Sequence, residues 1–239
     1  MTTAVEKHGV ALVAPTPVAI APNRWRLLYS PWAWRQWIRW KSEVIRTAHT
    51  ERVYAQVAPH IPDASRVLDV GAWDGRLGRL LRDRKRCDVI LTDVVDKNAT
   101  DLPLRVFDGT TLPLEDGARD VVLFVYVLHH AADDLALLRE ARRVCAAGGR
   151  VVVAEDQVET RRERIVTIGF HVWLFTVTFM GWRGQFRRAD AWRARFAEAG
   201  LTVDEVVPLG APGRLWPKNM LLIARPQARS GNARPDEGG

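Results

Sequence analysis

The sequence predicts an α/β fold, a mostly parallel sheet with helices on both faces, and three observations carry that expectation. Short β-branched runs alternate with helical stretches, the pattern of parallel strands joined by crossover helices. The stretch Val67-Leu68-Asp69-Val70-Gly71-Ala72-Trp73-Asp74-Gly75-Arg76-Leu77-Gly78 is an apolar run that ends beside an acid, breaks into glycines and resumes as a helix. That is the strand–turn–helix at which open α/β sheets bind nucleotide-like ligands. Acids also recur near successive strand ends, at Asp69, Asp93 and Asp108, on the edge where such sheets collect ligands.

Taken in order, the first strand ends at Val70 and the glycine loop opens a helix at Arg76. Gly71 and Gly75 are separated by three residues, with Trp73 where a dinucleotide fingerprint wants its middle glycine. A Trp side chain there obstructs close approach of a pyrophosphate, and Asp74 repels a dianion at the helix start. Asp69 and Asp74 suit a ligand carrying positive charge instead. Val89 to Asp93 reads as a second strand, Leu104 to Asp108 as a third, and Asp120 to Leu128 as a fourth. Leu137 to Val144 is the next helix, and Gly148-Gly149 reads as a turn into a fifth strand ending at Glu155. Asp190 to Ala199 is a helix with Gly200 as its stop. Leu201 to Val207 and Met220 to Ala224 complete the sheet as strands six and seven.

The glycine loop resembles the first motif of class I S-adenosylmethionine-dependent methyltransferases, in which an acid precedes G-x-G or G-x-x-x-G. Leu112-Pro113-Leu114-Glu115-Asp116, followed by Asp120-Val121-Val122 and Leu128-His129-His130, is similar to the ubiquinone/menaquinone-type, or type 11, subgroup. The resemblance covers roughly residues 60–156, with a weaker tail through Ala224. It implies a Rossmann-like class I methyltransferase fold with a seven-stranded, mostly parallel sheet, and S-adenosyl-L-methionine as cofactor. It implies that Asp69, Gly71, Ala72 and Gly75 meet the methionyl part, and that Asp93 with Val94 holds the ribose. By the same resemblance Asp108 and Gly109 lie at the adenine, and Val125 and Tyr126 lie against the donor.

Composition narrows the partners. At 239 residues the chain is long enough for one full core with appendages. Residues 1–23 read as a flexible leader without signal-peptide character, and 226–239 as a disordered tail. Between them lie a Trp/Arg-rich helical segment at 24–58 and the enzyme domain at 59–225. The two cysteines, Cys87 and Cys145, have no metal-type spacing, which fits a reducing cytoplasm. Neither follows proline, against a thiolate attacking a pyrimidine. The net charge of +7 invites a nucleic-acid reading. Arginine, however, is spread along the whole chain. After strand four stands Val125-Tyr126-Val127-Leu128 rather than the Asn/Asp-Pro-Pro-aromatic turn that resembling base-modifying enzymes use. A solvated basic surface or an anionic membrane serves as well.

Two apolar outliers point towards the acceptor. Trp25, Trp32, Trp34, Trp37 and Trp40, half of the ten tryptophans, crowd a segment rich in arginine. After Pro31, Trp34, Trp37, Ile38 and Ile45 fall on one side and Arg35, Arg39, Ser42 and Arg46 on another, an arrangement suited to a bilayer interface or to a helix packing over the cofactor. Residues 165–182 carry no formal charge and just reach the length of a membrane span. A span would place strands six and seven across the bilayer from the other five, so the segment reads as an apolar lid or interfacial insert, with an ordinary buried helix as the alternative.

The donor arrives with its methyl already activated, so the protein mainly aligns a nucleophile and excludes water. If the acceptor is a hydroxyl, a base helps, and imidazole suits neutral pH. His129 is the first candidate, with His130 behind it as a loop support. His171, inside the apolar segment, is expected neutral and is either a second candidate base or a satisfied core residue. Glu155 and Asp156 are placed to orient a polar substrate group. The sequence thus reads as a methyltransferase acting on a small lipophilic acceptor, with O-methylation favoured slightly and peripheral membrane contact compatible. The alternatives are a non-catalytic adaptor of the same fold, an RNA methyltransferase, or an NAD-type oxidoreductase, the last opposed by Trp73 and Asp74. No metal site is expected.

Overall fold

The structure, a computed structural model, describes residues 31–178 and 184–227, with side chains over 43–173 and 184–227. The leader, Trp25, the side chains of Trp32, Trp34, Trp37 and Trp40, residues 179–182 of the apolar segment and the tail from 228 lie outside the described residues. The chain divides into two units, one ending at Thr47 and one starting at Ala48. Helix α1 (Pro31–Val57) starts in the first unit and ends in the second; it begins at a proline, whose missing N–H costs a helix start nothing. Val44 and Ile45 are exposed there, and Arg46 pairs with Glu43.

The second unit is built on one seven-stranded sheet. Its strands are β1 (Arg66–Val70), β2 (Asp88–Asp93), β3 (Leu104–Val106), β4 (Arg119–Val125), β5 (Cys145–Gln157), β6 (Leu201–Gly210) and β7 (Lys218–Pro226). The order is β3-β2-β1-β4-β5-β7-β6. The first five are parallel, while β7 runs antiparallel to both β5 and β6. This is the mostly parallel seven-stranded arrangement expected from the alternating pattern. Helices α2 (Arg76–Lys85), α3 (Asp134–Val144), α4 (Arg161–Thr178) and α5 (Ala189–Glu198) make the crossovers.

Both faces of the sheet are covered, which is why the central strands read as unbroken apolar runs. One face packs Leu68, Val122, Phe124 and Val153 against Leu138 and Ala141 of α3 and Trp192 and Phe196 of α5. The other packs Val67, Leu91, Leu123 and Val152 against Val53 and Val57 of α1 and Leu81 of α2. Such burial contributes roughly 1.5–3 kcal/mol for each large side chain.

Three element boundaries differ from expectation. Helix α3 starts at Asp134 because the Asp133 carboxylate accepts the N–H of Ala136 and caps it. Strand β3 stops at Val106, so Asp108 sits in the loop beyond it. Strand β5 does not begin after the glycine pair but runs through it from Cys145, with its register to β4 shifting between Arg119 and Val121. A side chain at Gly149 would meet the Asp120 carbonyl 2.6 Å away, so this glycine permits a close strand approach at the irregularity. The apolar segment enters α4 without becoming a span: among the described residues no helix is long and apolar enough to cross a membrane. Nor is it uniformly buried, since Thr167 and His171 are buried while Ile165, Val172 and Trp173 are exposed.

Candidate active site

The strand register sets the site. Val70 pairs with Thr92 and Phe124, Asp93 with Val106, and Val125 with Ala154, so the parallel strands end along one row. The loops that follow them carry Gly71, Val94, Asp108 and Tyr126 to the same edge, where Glu155 lies near the end of β5.

Gly71 and Gly75 adopt φ of +71° and +76°, a region that glycine enters without the penalty a Cβ imposes. Each is also crowded. A Cβ on Gly71 would collide with both methyls of Val127, coming within 2.9 Å of Cγ1. One on Gly75 would come 2.7 Å from Asn98 Oδ1 and Leu91 Cδ1. The loop therefore threads between the β4 and β2 ends, and helix α2 starts at Arg76 with Gly75 as its N-cap. Ala72 is buried in the turn, and its N–H, like that of Gly71, donates to the Thr92 carbonyl.

The acids take distinct roles. Asp69 is fully buried, and its Oδ2 has no hydrogen-bond partner among the described residues. Burial first, then the charges of Asp93 and Asp74, push its pKa up to about 7. Asp93 is held by two backbone amides, Trp73 N–H to Oδ2 (2.9 Å) and Val95 N–H to Oδ1 (3.3 Å). Each oxygen keeps lone-pair capacity for a further donor. Asp108 accepts the N–H groups of Thr110 and Thr111, both at 2.8 Å, which hold its carboxyl below the usual range. Gly109 (φ +86°) packs against Val94, joining the loops after β2 and β3.

Asp74 departs from expectation. Rather than presenting charge to a ligand, it pairs with Arg76 at 3.0 Å and accepts that residue's N–H. Trp73 is turned outward with φ +51°, its ring under the Lys97 ammonium at 3.9 Å. It blocks the loop less by bulk than its position suggests.

At the other end of the edge the imidazoles gather. His129 and His130 lie on a 3-10 turn, Leu128–His130, directly after β4, and His171 reaches them from α4. Ring centroids are 4.0 Å apart for His129–His130, 5.1 Å for His129–His171 and 5.9 Å for His130–His171. Nδ1 of His129 lies 2.5 Å from Glu155 Oε2, and Glu155 Oε1 accepts the N–H groups of Leu128 and His129. Glu155 therefore builds the loop and does not face a substrate, correcting the expectation for it. Burial alone would lower the His129 pKa, but the charge and hydrogen bond of Glu155, with Asp156 beyond, leave it raised. His171 is held below its ordinary value, chiefly by burial, with its Nδ1 2.9 Å from the Thr167 carbonyl.

Tyr126 enters the edge with φ +56°, its N–H on the Ala154 carbonyl and its ring 6.1 Å from that of His49. Burial, then Asp156, raises its phenol pKa well above the usual value. Cys145 is also driven up, to about 12, by burial, which leaves no reactive thiolate there.

Sequence reasoning missed Phe186. Its ring lies 4.6 Å from His171 and 5.3 Å from His129. The segment bearing it is tied down by Gln185 N–H to the His129 carbonyl and by Arg187 to the buried Asp134, at 2.5 Å. The Gly-Gln-Phe-Arg-Arg stretch has no periodicity to announce this. Only its arginines hinted at an anchored flank.

The residues fit a cationic adenosyl ligand. A buried, unpartnered carboxylate oxygen at Asp69, two side-chain-free turns and two oriented acids at the strand tips supply attraction for positive charge and acceptors for hydroxyls and an amino group.

Comparison with known proteins agrees. The family model described as a methyltransferase domain matches residues 32–206, and the chain belongs to that family. It is an S-adenosyl-L-methionine-dependent methyltransferase of Rossmann-like class I fold. It is 26% identical over 198 residues to a demethylmenaquinone methyltransferase of Mycolicibacterium vanbaalenii, covering 81% of this chain and 74% of that one. Among solved structures, one resembles it with a TM-score of 0.59 and 22% identity, over 77% of this chain and 94% of the other. That structure is a complex of the Haloferax volcanii Trm112 methyltransferase activator with its partner. An S-adenosylmethionine dependent methyltransferase from Mesorhizobium loti gives 0.57 at 16% identity, over 72% of this chain and 96% of its own.

Proposed function

We propose that this enzyme methylates a small lipophilic acceptor, with a hydroxyl oxygen favoured over carbon or nitrogen. The donor rests on Asp69, Gly71, Ala72, Gly75, Asp93, Val94, Asp108, Gly109, Val125 and Tyr126, and the acceptor faces His129 and His171. S-adenosyl-L-methionine supplies the electrophilic methyl. The chain's own residues align the acceptor, exclude water and manage its proton.

The observation that carries this reading is the aromatic setting of the imidazoles at the β4–β5 edge. Phe186 and Phe170 lie 4.6 Å and 5.6 Å from the His171 ring, so polar and apolar groups meet where a greasy molecule with one polar handle would bind. A relative named for demethylmenaquinone supports a quinone-like acceptor. Exposed Trp173 and Trp216 beside Phe170, with the exposed Leu215 next to Trp216 in the chain, offer such a molecule an apolar approach and give a membrane surface a peripheral foothold.

The test is incubation with methyl-labelled donor and a panel of quinols, phenols and lipid extracts, followed by identification of the labelled product. A labelled methyl ether of a hydrophobic phenol or quinol is expected. Labelling confined to RNA or to protein side chains would overturn the reading.

A further inference from the structure

We propose that His129, His130 and His171 form a binding site for a first-row divalent cation such as Zn²⁺ or Co²⁺, with Asp156 beside His171. This rests on the acceptor-side reading above and names the means by which the cluster handles the acceptor's oxygen.

Three of the chain's six histidines meet here. One ring nitrogen from each lies within 4.8 Å of the others. With metal–nitrogen bonds of about 2.0–2.1 Å, a tetrahedral site needs nitrogens about 3.4 Å apart. Side-chain rotation on the order of 1 Å closes that gap.

Nδ1 of His129 lies against Glu155, and Nδ1 of His171 lies against the Thr167 carbonyl. In the neutral form of each ring Nε2 is then the nitrogen left to bind a cation, the arrangement in which a carboxylate or carbonyl behind the ring orients a metal-bound imidazole. For His129 that Nε2 is buried and has no hydrogen-bond partner among the described residues. Leaving a buried acceptor unmatched is costly, so it points to something the site is built to hold. For His171 the Nε2 faces Asp156 Oδ2 at 3.4 Å. This places a carboxyl group beside the three rings. Asp156 is buried and steadied from behind by Asn219.

Stacked core histidines would explain the ring contacts but not this orientation. Two imidazoles place Nδ1 on fixed partners, which leaves Nε2 of each as the nitrogen available to a ligand. Imidazole and carboxylate together suit zinc, cobalt, iron and nickel rather than magnesium or calcium. A further coordination position would take the acceptor hydroxyl oxygen. Its O–H bond breaks with the proton passing to solvent, and the oxygen remains bound as an oxyanion, stabilised by the cation's charge.

The full-length chain, stripped with a chelator and titrated with Co²⁺ alone, tests this. The wild type is expected to bind one equivalent, with visible absorption bands of low-symmetry nitrogen coordination. His171→Ala should weaken Co²⁺ binding at least tenfold while S-adenosylhomocysteine binding stays within about twofold, showing an intact fold. X-ray absorption of the Co²⁺-loaded wild type, which needs no variant, should show imidazole scattering from two or three rings. Absent Co²⁺ binding, unchanged affinity in His171→Ala, or oxygen-only coordination would each overturn the proposal. A wild type that binds S-adenosylhomocysteine and methylates a phenol without metal overturns this inference alone. One that binds Co²⁺ but no S-adenosylhomocysteine overturns the donor-site assignment instead.

Discussion

Glu155 Oε2 sits 2.5 Å from Nδ1 of His129, with the two side chains 1% and 2% exposed, and the same carboxylate holds two backbone amides of the turn after β4. One side chain on β5 thus fixes both the position of the His129 backbone and the direction of its ring. Glu155→Gln keeps an acceptor for the amides but replaces the charge that orients the imidazole. The variant is expected to lose about 3 kcal/mol of stability in urea unfolding. It should lose turnover about 10- to 100-fold while S-adenosylhomocysteine affinity stays nearly constant. Equal losses in turnover and donor affinity would contradict the division of the site.

Gly71 and Val127 test the threading of the cofactor loop. Gly71→Ala imposes a Cβ at φ +71° and a collision with the Val127 methyls. The left-handed conformation costs about 1–2 kcal/mol and the overpacking about 1–3 kcal/mol. Adding Val127→Ala removes the collision only. A double-mutant cycle by chemical denaturation should therefore show Gly71→Ala less damaging in the Val127→Ala background by at least about 1 kcal/mol. Additivity within about 0.5 kcal/mol would contradict the contact.

Asp69 gives a pH signature. Its folded pKa of about 7 lies above the reference of 3.8, so between those values the native state holds a proton that the unfolded chain has released. Stability from this group is therefore fully present below about pH 4 and lost as pH rises through about 7, by up to about 4 kcal/mol. Asp69→Asn should remove that slope, gaining on the wild type from pH 5 to pH 8 in the ligand-free protein. Because a cationic donor favours the ionised carboxylate, S-adenosylmethionine should bind more tightly at pH 8 than at pH 6 in the wild type. Calorimetry should show this trend flattened in Asp69→Asn.

Asp134 anchors the segment over the imidazoles through Arg187 and Arg195, at 2.5 and 2.9 Å. Asp134→Ala leaves two guanidinium groups without their shared buried partner, costing about 3 kcal/mol. Hydrogen exchange should quicken across 184–188, and acceptor KM should rise more than donor KM. Protected amides there with an unchanged acceptor KM would show that Phe186 does not depend on this anchor.

The legible parts of the molecule were those written locally. Strands β1, β2 and β4 announce themselves as β-branched runs because both faces of a parallel sheet are buried. The Gly71–Gly75 turn shows because positive φ demands glycine. Gly148-Gly149 misled because glycine also marks a close approach between strands, which cannot be told from a turn without knowing that Asp120 lies opposite. Asp74 looked like a ligand-facing acid until Arg76 was seen to neutralise it. Glu155, Phe186 and Asp134 act across 15 or more residues of sequence through tertiary contacts. No local pattern encodes them, so His129 was legible as a candidate while its orientation was not.

The central claim is that the strand-tip acids form a cradle for an adenosyl sulfonium, and calorimetric titration with S-adenosylmethionine and S-adenosylhomocysteine tests it most directly. Wild-type protein should bind both, and Asp93→Ala should weaken binding at least tenfold with its melting temperature little changed. No heat from either compound with folded wild-type protein, or an Asp93→Ala affinity equal to wild type, would contradict the account.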